Sequence, residues 1–350
     1  MNRQVVWLDP SWRRMDELFS TKDEAELRAS HEVMWGRDEP APEGLLEESL
    51  PRITALVTTE PKVDKALLSA APDLRMVVEV SGAFPDTIDY AACRERGVEV
   101  LSCAPGFRES VAEMALAMLL ASGRGLVDEH ERFRAGQEHW LADNDATDFS
   151  IFGATVGFVG FGSIAREISR LISPFRPEIL AHDPFLPSAV AEAAGARLCA
   201  LDEMMSRSDA VLVTAVPTRE NRGLVGEREL SLLRDGANLH LISRAHLVDF
   251  DALTREVLSG RIRATVDVFP TEPLPDDHPI RQAPGVILSP HRAAAVRGGR
   301  HLIGRMLLDD LTALGDGRGD RRLLRATEEM VAIAAGVGDS AQVEDMAKKR

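Results

Sequence analysis

Residues 154–168, ATVGFVGFGSIAREI, constrain the fold more than any other stretch of the chain. An apolar run of strand length meets Gly160, then Gly162, then Ala165, and the chain continues at helical spacing. Gly160 permits a tight turn, Gly162 lets the backbone come close to a ligand, and the small Ala165 lets a helix pack against the strand. The pattern therefore dictates a strand, a turn and a helix in that order. Such a unit is completed by a second strand parallel to the first, which makes a parallel sheet with helical crossovers the expected architecture.

The rest of the chain repeats this alternation. Strand-length apolar runs at 4–8, 53–59, 75–81 and 98–104 are separated by stretches with apolar residues at helical spacing, and a second series follows at 154–160, 178–183, 210–216, 237–243, 264–269 and 285–290. Runs apolar on both faces suit strands covered on both sides, as in doubly wound parallel sheets. A chain of 350 residues, 45% of them apolar, exceeds what one core usually organises. We therefore expect an α/β protein of two doubly wound parallel-sheet domains. Between the two series, SVAEMALAMLLASGRGLVDEHERF predicts one long helix from Ser110 to about Arg134, opened by a capping box of Ser110 and Glu113. Residues 137–150 read as a polar connecting loop, 297–317 as an amphipathic helix, and the last fifteen or so as a soluble tail.

The free amides at the start of the helix, near Ser163 and Ile164, face whatever lies beyond Gly162, and a helix N-terminus favours an anion. Asp183 closes the next strand-like run, 23 residues after Gly160. A carboxylate at that place accepts from ribose hydroxyls and repels a 2′-phosphate. Turn, helix and acid in this register predict a dinucleotide site for NAD rather than NADP; without a ligand the same glycines make only a tight turn.

Ser243 with Arg244, Asp267 with Glu272, and Ser289 with His291 fall at or just past the C-terminal ends of predicted strands, the edge at which open parallel sheets bind ligands. Singly, Arg244 reads as well as a surface ion-pair former, Glu272 as a loop acid, and His291 as a capping or core histidine. In SRAHLVDFDAL, DVFPTEP and LSPHRAA, and earlier in DTIDYAACRERGVEVLSCAPGFRESVAEMALAMLLASGRG, the chain resembles the D-isomer-specific 2-hydroxyacid dehydrogenases, from about residue 50 to 315. The resemblance implies reversible reduction of a 2-oxo acid to a D-2-hydroxy acid by NADH, without a metal. It makes His291 the proton donor and acceptor, Glu272 its partner, Arg244 the substrate anchor and Asp267 a contact on the nicotinamide side, and it brings Pro217 and Ser243 into the cofactor site. The chemistry agrees with these roles. A planar guanidinium holds a carboxylate and polarises the adjoining carbonyl. The alkoxide formed when hydride arrives needs a proton, and imidazole is the side chain that changes charge near neutral pH.

The chain also departs from the family pattern. The glycine-rich loop whose amides help to hold the substrate carboxylate corresponds to Val80–Asp86, so the resemblance implies substrate contacts at Ser81, Gly82 and Ala83. Only Gly82 keeps the pattern, and Phe84-Pro85 makes the loop bulkier and stiffer. Pro105–Val111 is about one residue shorter than the usual form. Its Arg108 raises the expectation of a second anionic group on the substrate, though an exposed loop arginine reads the same. Thr214 or Ala215 stands where a histidine is common, and Ala245-His246 follow Arg244 in place of glycine.

The implied architecture is a Rossmann-type cofactor domain, 120–292, inserted in a flavodoxin-like substrate domain, 1–119 and 293–350, with the site in the cleft between them. The helix after Ser110, part of the family's usual dimer contact, implies a homodimer. A net charge of −15 disfavours nucleic acid and anionic membranes as partners. Three scattered cysteines, no metal-ligand spacing, no membrane-spanning run and no export signal in MNRQVVWLDPSW suit a cytoplasmic protein. Two other readings stand beside this one: a dehydrogenase of a small anion of the phosphite or formate type, and a non-enzymatic NAD(H)-sensing binding protein.

Overall fold

The structure, a computed structural model, describes residues 3–10, 13–141, 148–218, 220–328 and 330–331. The chain divides into two compact units, Met1–Arg108 with Val296–Arg350, and Glu109–Ala295.

In the first unit the apolar runs form β1 (Val5–Asp9), β2 (Glu32–Trp35), β3 (Ala55–Thr58), β4 (Met76–Glu79) and β5 (Glu99–Ser102). They pair in parallel in the order β2-β1-β3-β4-β5, the flavodoxin-like order. The returning chain adds the strand Leu324–Arg325 antiparallel to β5, so the sheet is mixed rather than purely parallel. Side chains alternate across this sheet. Val6, Leu8, Val57, Val78 and Leu101 face Ile303, Leu307 and Leu311 of the helix His301–Gly315, while Trp7, Leu56, Val77 and Val100 face Leu68, Ile88 and Ala92. Both faces of β1, β3, β4 and β5 are covered, which is why these runs are apolar at most positions. Each buried leucine or isoleucine contributes roughly 1.5–3 kcal/mol.

In the second unit β6 (Thr155–Val159), β7 (Glu178–His182), β8 (Arg197–Leu198), β9 (Ala210–Val213), β10 (Asn238–Leu241), β11 (Arg263–Val266) and β12 (Val286–Leu288) lie in the order β8-β7-β6-β9-β10-β11-β12. All pairs are parallel. The chain winds one way from β6 to β8 and the other from β9 to β12, so the β6/β9 boundary is the topological switch point at which such sheets bind ligands.

Two expectations are corrected. The helix forecast from Ser110 to Arg134 is two helices, Arg108–Gly123 and Leu126–Arg134, with a bend of 60° at the break. Gly125 takes φ +57° there, and the Gly123 carbonyl accepts from the amide of Phe149 instead of continuing the helix. Ser110 is no cap either: the helix has already begun, and its hydroxyl donates to the carbonyl of Ala293 at 2.9 Å. The short strands β2, β8 and Leu324–Arg325, all at or next to sheet edges, escaped the sequence reading. Residues 142–147 of the expected connecting loop, and the expected tail from 332 onward, lie outside the described residues. Among the described residues no single helix is long and apolar enough to cross a membrane.

Candidate active site

β6 delivers the glycine turn. Gly160 has φ +81°, and a Cβ there would stand 2.4 Å from the Cα of Ala215, just beyond β9. Its amide donates to the His182 carbonyl at 2.8 Å, and its carbonyl accepts from Thr214 Oγ1 at 2.7 Å, so the turn is clamped from β7 and β9 together. Ala165 is fully buried behind it. Gly162 is different, because a Cβ on it would meet nothing within 4 Å. It precedes the helix Ser163–Ile172, which no side chain caps. The first-turn amides, those of Ser163 and Ile164 among them, therefore face an open approach with a favourable dipole for an anion. Asp183 accepts from the Phe161 amide at 2.9 Å and the Phe185 amide at 3.1 Å. A carboxylate has about four acceptor positions, so these two bonds aim Asp183 and leave capacity for hydroxyl donors.

Pro217 lies in a loop that ties itself down. The Thr218 amide donates to Asn221 Oδ1 at 2.7 Å, Asn221 Nδ2 donates to the Val216 carbonyl at 2.9 Å, and His246 Nε2 donates to the Thr218 carbonyl at 2.6 Å. His246 thus fastens the loop. Ser243 follows β10, and its hydroxyl is buried without a hydrogen-bond partner, a polar group that a bound ligand would satisfy. The open Gly162, the uncapped helix and the orphaned Ser243 hydroxyl fit a dinucleotide.

The structure brings His291 and Glu272 together. His291 Nδ1 stands 2.7 Å from Glu272 Oε2, and Glu272 Oε1 accepts from the Phe269 amide at 3.0 Å. Burial pushes the Glu272 carboxyl up, but the bonds from His291 and Phe269 and the nearby positive charge of Arg244 outweigh it, so the net shift is downward and the carboxylate form is favoured. With Nδ1 engaged, Nε2 is the ring atom left to exchange a proton with a substrate. His291 itself has φ +50°, a conformation that L residues rarely adopt and that costs of order 1–3 kcal/mol. Arg244 lies in the same unit, with Nη1 donating to the Ser243 carbonyl at 2.7 Å. Desolvation lowers its pKa and Glu272 draws it back up; a guanidinium stays cationic throughout.

Asp267 is 1% exposed, and its carboxylate turns toward the His291 loop. It accepts from Ser289 Oγ at 2.5 Å, the Arg292 amide at 2.8 Å and the Ala293 amide at 3.0 Å, while its carbonyl accepts from the His291 amide at 2.8 Å. Four bonds from one residue hold the backbone on both sides of the histidine. Sequence reasoning set Asp267 on the nicotinamide side by resemblance and missed this holding role; the buried acid directly after a strand, followed by the Ser-Pro-His run, is the signal for it.

Ser81, Gly82, Ala83 and Arg108 belong to the first unit. The amides of Ser81, Gly82 and Ala83 each donate to the Glu79 carboxylate at 2.7 Å, a partner that the sequence reading did not single out. Arg108 is half-buried at the start of its helix. Among the described residues no group of three or more His, Cys, Asp or Glu side chains is placed to hold a metal ion.

Residues 116–293 match the family described as D-isomer specific 2-hydroxyacid dehydrogenase, NAD binding domain. Glyoxylate/hydroxypyruvate reductase B of Pectobacterium carotovorum is 33% identical over 254 residues, 72% of this chain and 79% of that protein. D-3-phosphoglycerate dehydrogenase of Archaeoglobus fulgidus is 28% identical over 277 residues, 79% of this chain and 52% of that protein. This chain matches only about half the length of such phosphoglycerate dehydrogenases. The crystal structure of a phosphoglycerate oxidoreductase from Rhizobium etli is 34% identical and superimposes with a TM-score of 0.83 over 93% of this chain and 99% of that one.

Proposed function

The chain belongs to the D-isomer specific 2-hydroxyacid dehydrogenase family, and on that footing we propose that it interconverts a 2-oxo acid and a D-2-hydroxy acid with NAD(H). The observation that carries the proposal is the His291–Glu272 pair at 2.7 Å with Arg244 in the same unit. Bound NADH supplies the hydride. Gly160, Gly162 and the amides of Ser163 and Ile164 would hold its pyrophosphate, and Asp183 its ribose. Arg244 would anchor the substrate carboxylate and polarise the carbonyl. His291 Nε2 would deliver the proton to the nascent alkoxide, while Glu272 stabilises the imidazolium and fixes the ring. In the reverse direction the same nitrogen takes the hydroxyl proton.

The relatives' names point to small substrates, so glyoxylate, hydroxypyruvate and its phosphorylated form head the panel for an NADH oxidation assay, with NADPH as control. Turnover on any of them supports the proposal. Silence across the panel with NADH bound would leave the small-anion dehydrogenase or the cofactor-sensing protein in its place. In this reading Arg108 meets a second anionic group, and Arg108→Ala raises the KM of the phosphorylated substrate more than that of glyoxylate.

We also propose a homodimer. The helix Leu126–Arg134 buries none of its residues, and Leu126, Phe133 and Trp140 are 62%, 58% and 75% exposed, an apolar surface of the kind that associates. Sedimentation of the wild type as a dimer and of Leu126→Asp as a monomer is the expected result; a monomeric wild type refutes it.

A further inference from the structure

Glu272 stands on the loop that leaves β11, and little holds that loop. From Phe269 to Pro279 the side chain of Leu274 alone is buried, packed in the core of the second unit with Phe250 and Ile280. Thr271, Pro273, Pro275, Asp276 and Asp277 are exposed. On the near side the Phe269 amide donates to Glu272 Oε1 at 3.0 Å. On the far side the hold comes from Arg281, in the 3-10 turn Pro279–Gln282. Its Nη2 donates to the Leu274 carbonyl at 2.7 Å and its Nε to the Pro275 carbonyl at 2.8 Å. Ile280, next to it in the turn, is fully buried in the same core as Leu274, so the guanidinium reaches the loop from a fixed base. The Asp276 carboxylate stands 3.9 Å from that guanidinium and is fully exposed, and such a pair contributes little.

We infer that Arg281 is a positioning residue for the proton transfer: by gripping the carbonyls two and three residues beyond Glu272, it fixes where that carboxylate meets His291 Nδ1. The kinetic half of this rests on the function proposed above; the geometric half does not. A planar guanidinium suits the task, since two of its N–H groups engage neighbouring carbonyls at once in a fixed fork, a geometry that a lysine ammonium does not reproduce. The Arg281 side chain is 38% exposed, so water can take the place of its donors and the fold should survive its loss. What is lost is orientation, and a misplacement of about 1 Å in a catalytic group costs up to about 10² in rate.

The test pairs Arg281→Met, which keeps an aliphatic stem and removes both donors, with Arg281→Lys, which returns one. The first readout needs no turnover. The Glu272 carboxylate accepts from Nδ1, so the neutral His291 ring carries its proton there. Proton–nitrogen correlation spectra of the labelled histidine rings, with His291→Ala to assign the signal, read that tautomer at a pH where the imidazole is neutral. Arg281→Met is expected to move the ring toward the Nε2 tautomer that free imidazole side chains prefer, and Arg281→Lys to stay closer to the wild type. The second readout is kinetic. For the 2-oxo acid that the wild type reduces best, kcat is expected to fall about tenfold in Arg281→Met, with its KM and the NADH dissociation constant unchanged. The double variant Arg281→Met with Glu272→Gln is expected to be no slower than Glu272→Gln alone, because the arginine acts through the carboxylate. If Arg281→Met does not fold, Arg281→Lys carries both readouts, with smaller changes in the same direction. A wild-type tautomer or an unchanged kcat in the folded variant, or the same loss repeated on top of Glu272→Gln, overturns the inference. Absence of turnover by the wild type on every 2-oxo acid refutes the function proposed above instead, and the tautomer still decides this one.

Discussion

Alanine at Gly160 and at Gly162 should break different things. At Gly160 the substituted residue would sit at φ +81°, which costs an L residue roughly 1–2 kcal/mol. Its methyl would meet the Cα of Ala215 at 2.4 Å, the Cβ at 2.6 Å and the amide nitrogen at 2.7 Å, far inside the ~3.5–4 Å of a comfortable carbon contact. Only backbone movement at the end of β6 or β9 relieves that overlap, and overpacking of this kind adds about 1–3 kcal/mol. The expected loss is therefore about 2–5 kcal/mol, read as a lower midpoint in urea unfolding. At Gly162 a methyl meets no atom within 4 Å and φ is −74°, so stability should move by no more than ~0.5 kcal/mol. The methyl does stand on the approach to the helix amides, and NADH affinity, measured by fluorescence titration, should fall by about tenfold or more, at least ~1.4 kcal/mol. A Gly160→Ala protein as stable as the wild type would show that the turn is not wedged against Ala215. A Gly162→Ala protein with normal NADH affinity would refute the placement of the pyrophosphate.

Three further outcomes follow from the site and the core. His291→Ala should bind NADH normally and lose about 10²- to 10⁴-fold in turnover; equal loss of NADH binding would assign the histidine a structural role. Asp267→Asn turns an amide NH2 toward a donor that the carboxylate now accepts from, and should cost about 1–3 kcal/mol of stability together with a fall in kcat larger than the rise in KM; normal kcat would mean that the loop keeps His291 in place without it. His240, fully buried in β10 with only Nδ1 engaged, by Thr265 Oγ1 at 2.9 Å, has its pKa lowered by burial from 6.5 to about 3. Because the unfolded chain takes up the proton first, the stability of the neutral ring is present above 6.5 and lost as pH falls toward 3. The difference between wild type and His240→Gln in urea should shift against the wild type by about 1.4 kcal/mol per pH unit in that window, and a pH-independent difference would count against a neutral buried ring.

The elements legible in the sequence are those whose environment is written into residue type. β3, β4 and β9 are apolar at nearly every position because both faces of their sheets are covered, and the glycine turn is legible because Gly160 has no alternative. β2 was not, since each of its residues is only half-buried, and β8 and Leu324–Arg325 are too short to show a period. The break at Gly125 lies inside a run of good helix formers, and what fixes it, the Phe149 amide on Gly123 and the Asp148 carboxylate beside Gly125, comes from residues beyond any local window. Arg244, Glu272 and His291 stand out by their place at strand ends and by resemblance. Glu79 does not, because VVEVS reads as a strand with one charged residue, and the amides that hold it carry no sequence signature. Asp267 was found with a cofactor-side role, and its carboxylate turns out to be bonded to the histidine loop.

The first unit is built from both ends of the chain. The helix His301–Gly315 covers one face of β1–β5 with Ile303, Leu307, Leu308 and Leu311, and the strand Leu324–Arg325 closes the β5 edge. During synthesis β1–β5 emerge with only Met15, Leu18, Phe19 and Leu27 on that face, and keep the rest of it bare and that edge unpaired until the whole of Glu109–Ala295 has followed. The intervening segment is continuous and finds its partners within itself, so it has what it needs to fold before the first unit is complete, and exposed apolar strands of this kind are what chaperones engage. Strands made earlier thus wait for a helix and a strand made later to complete them.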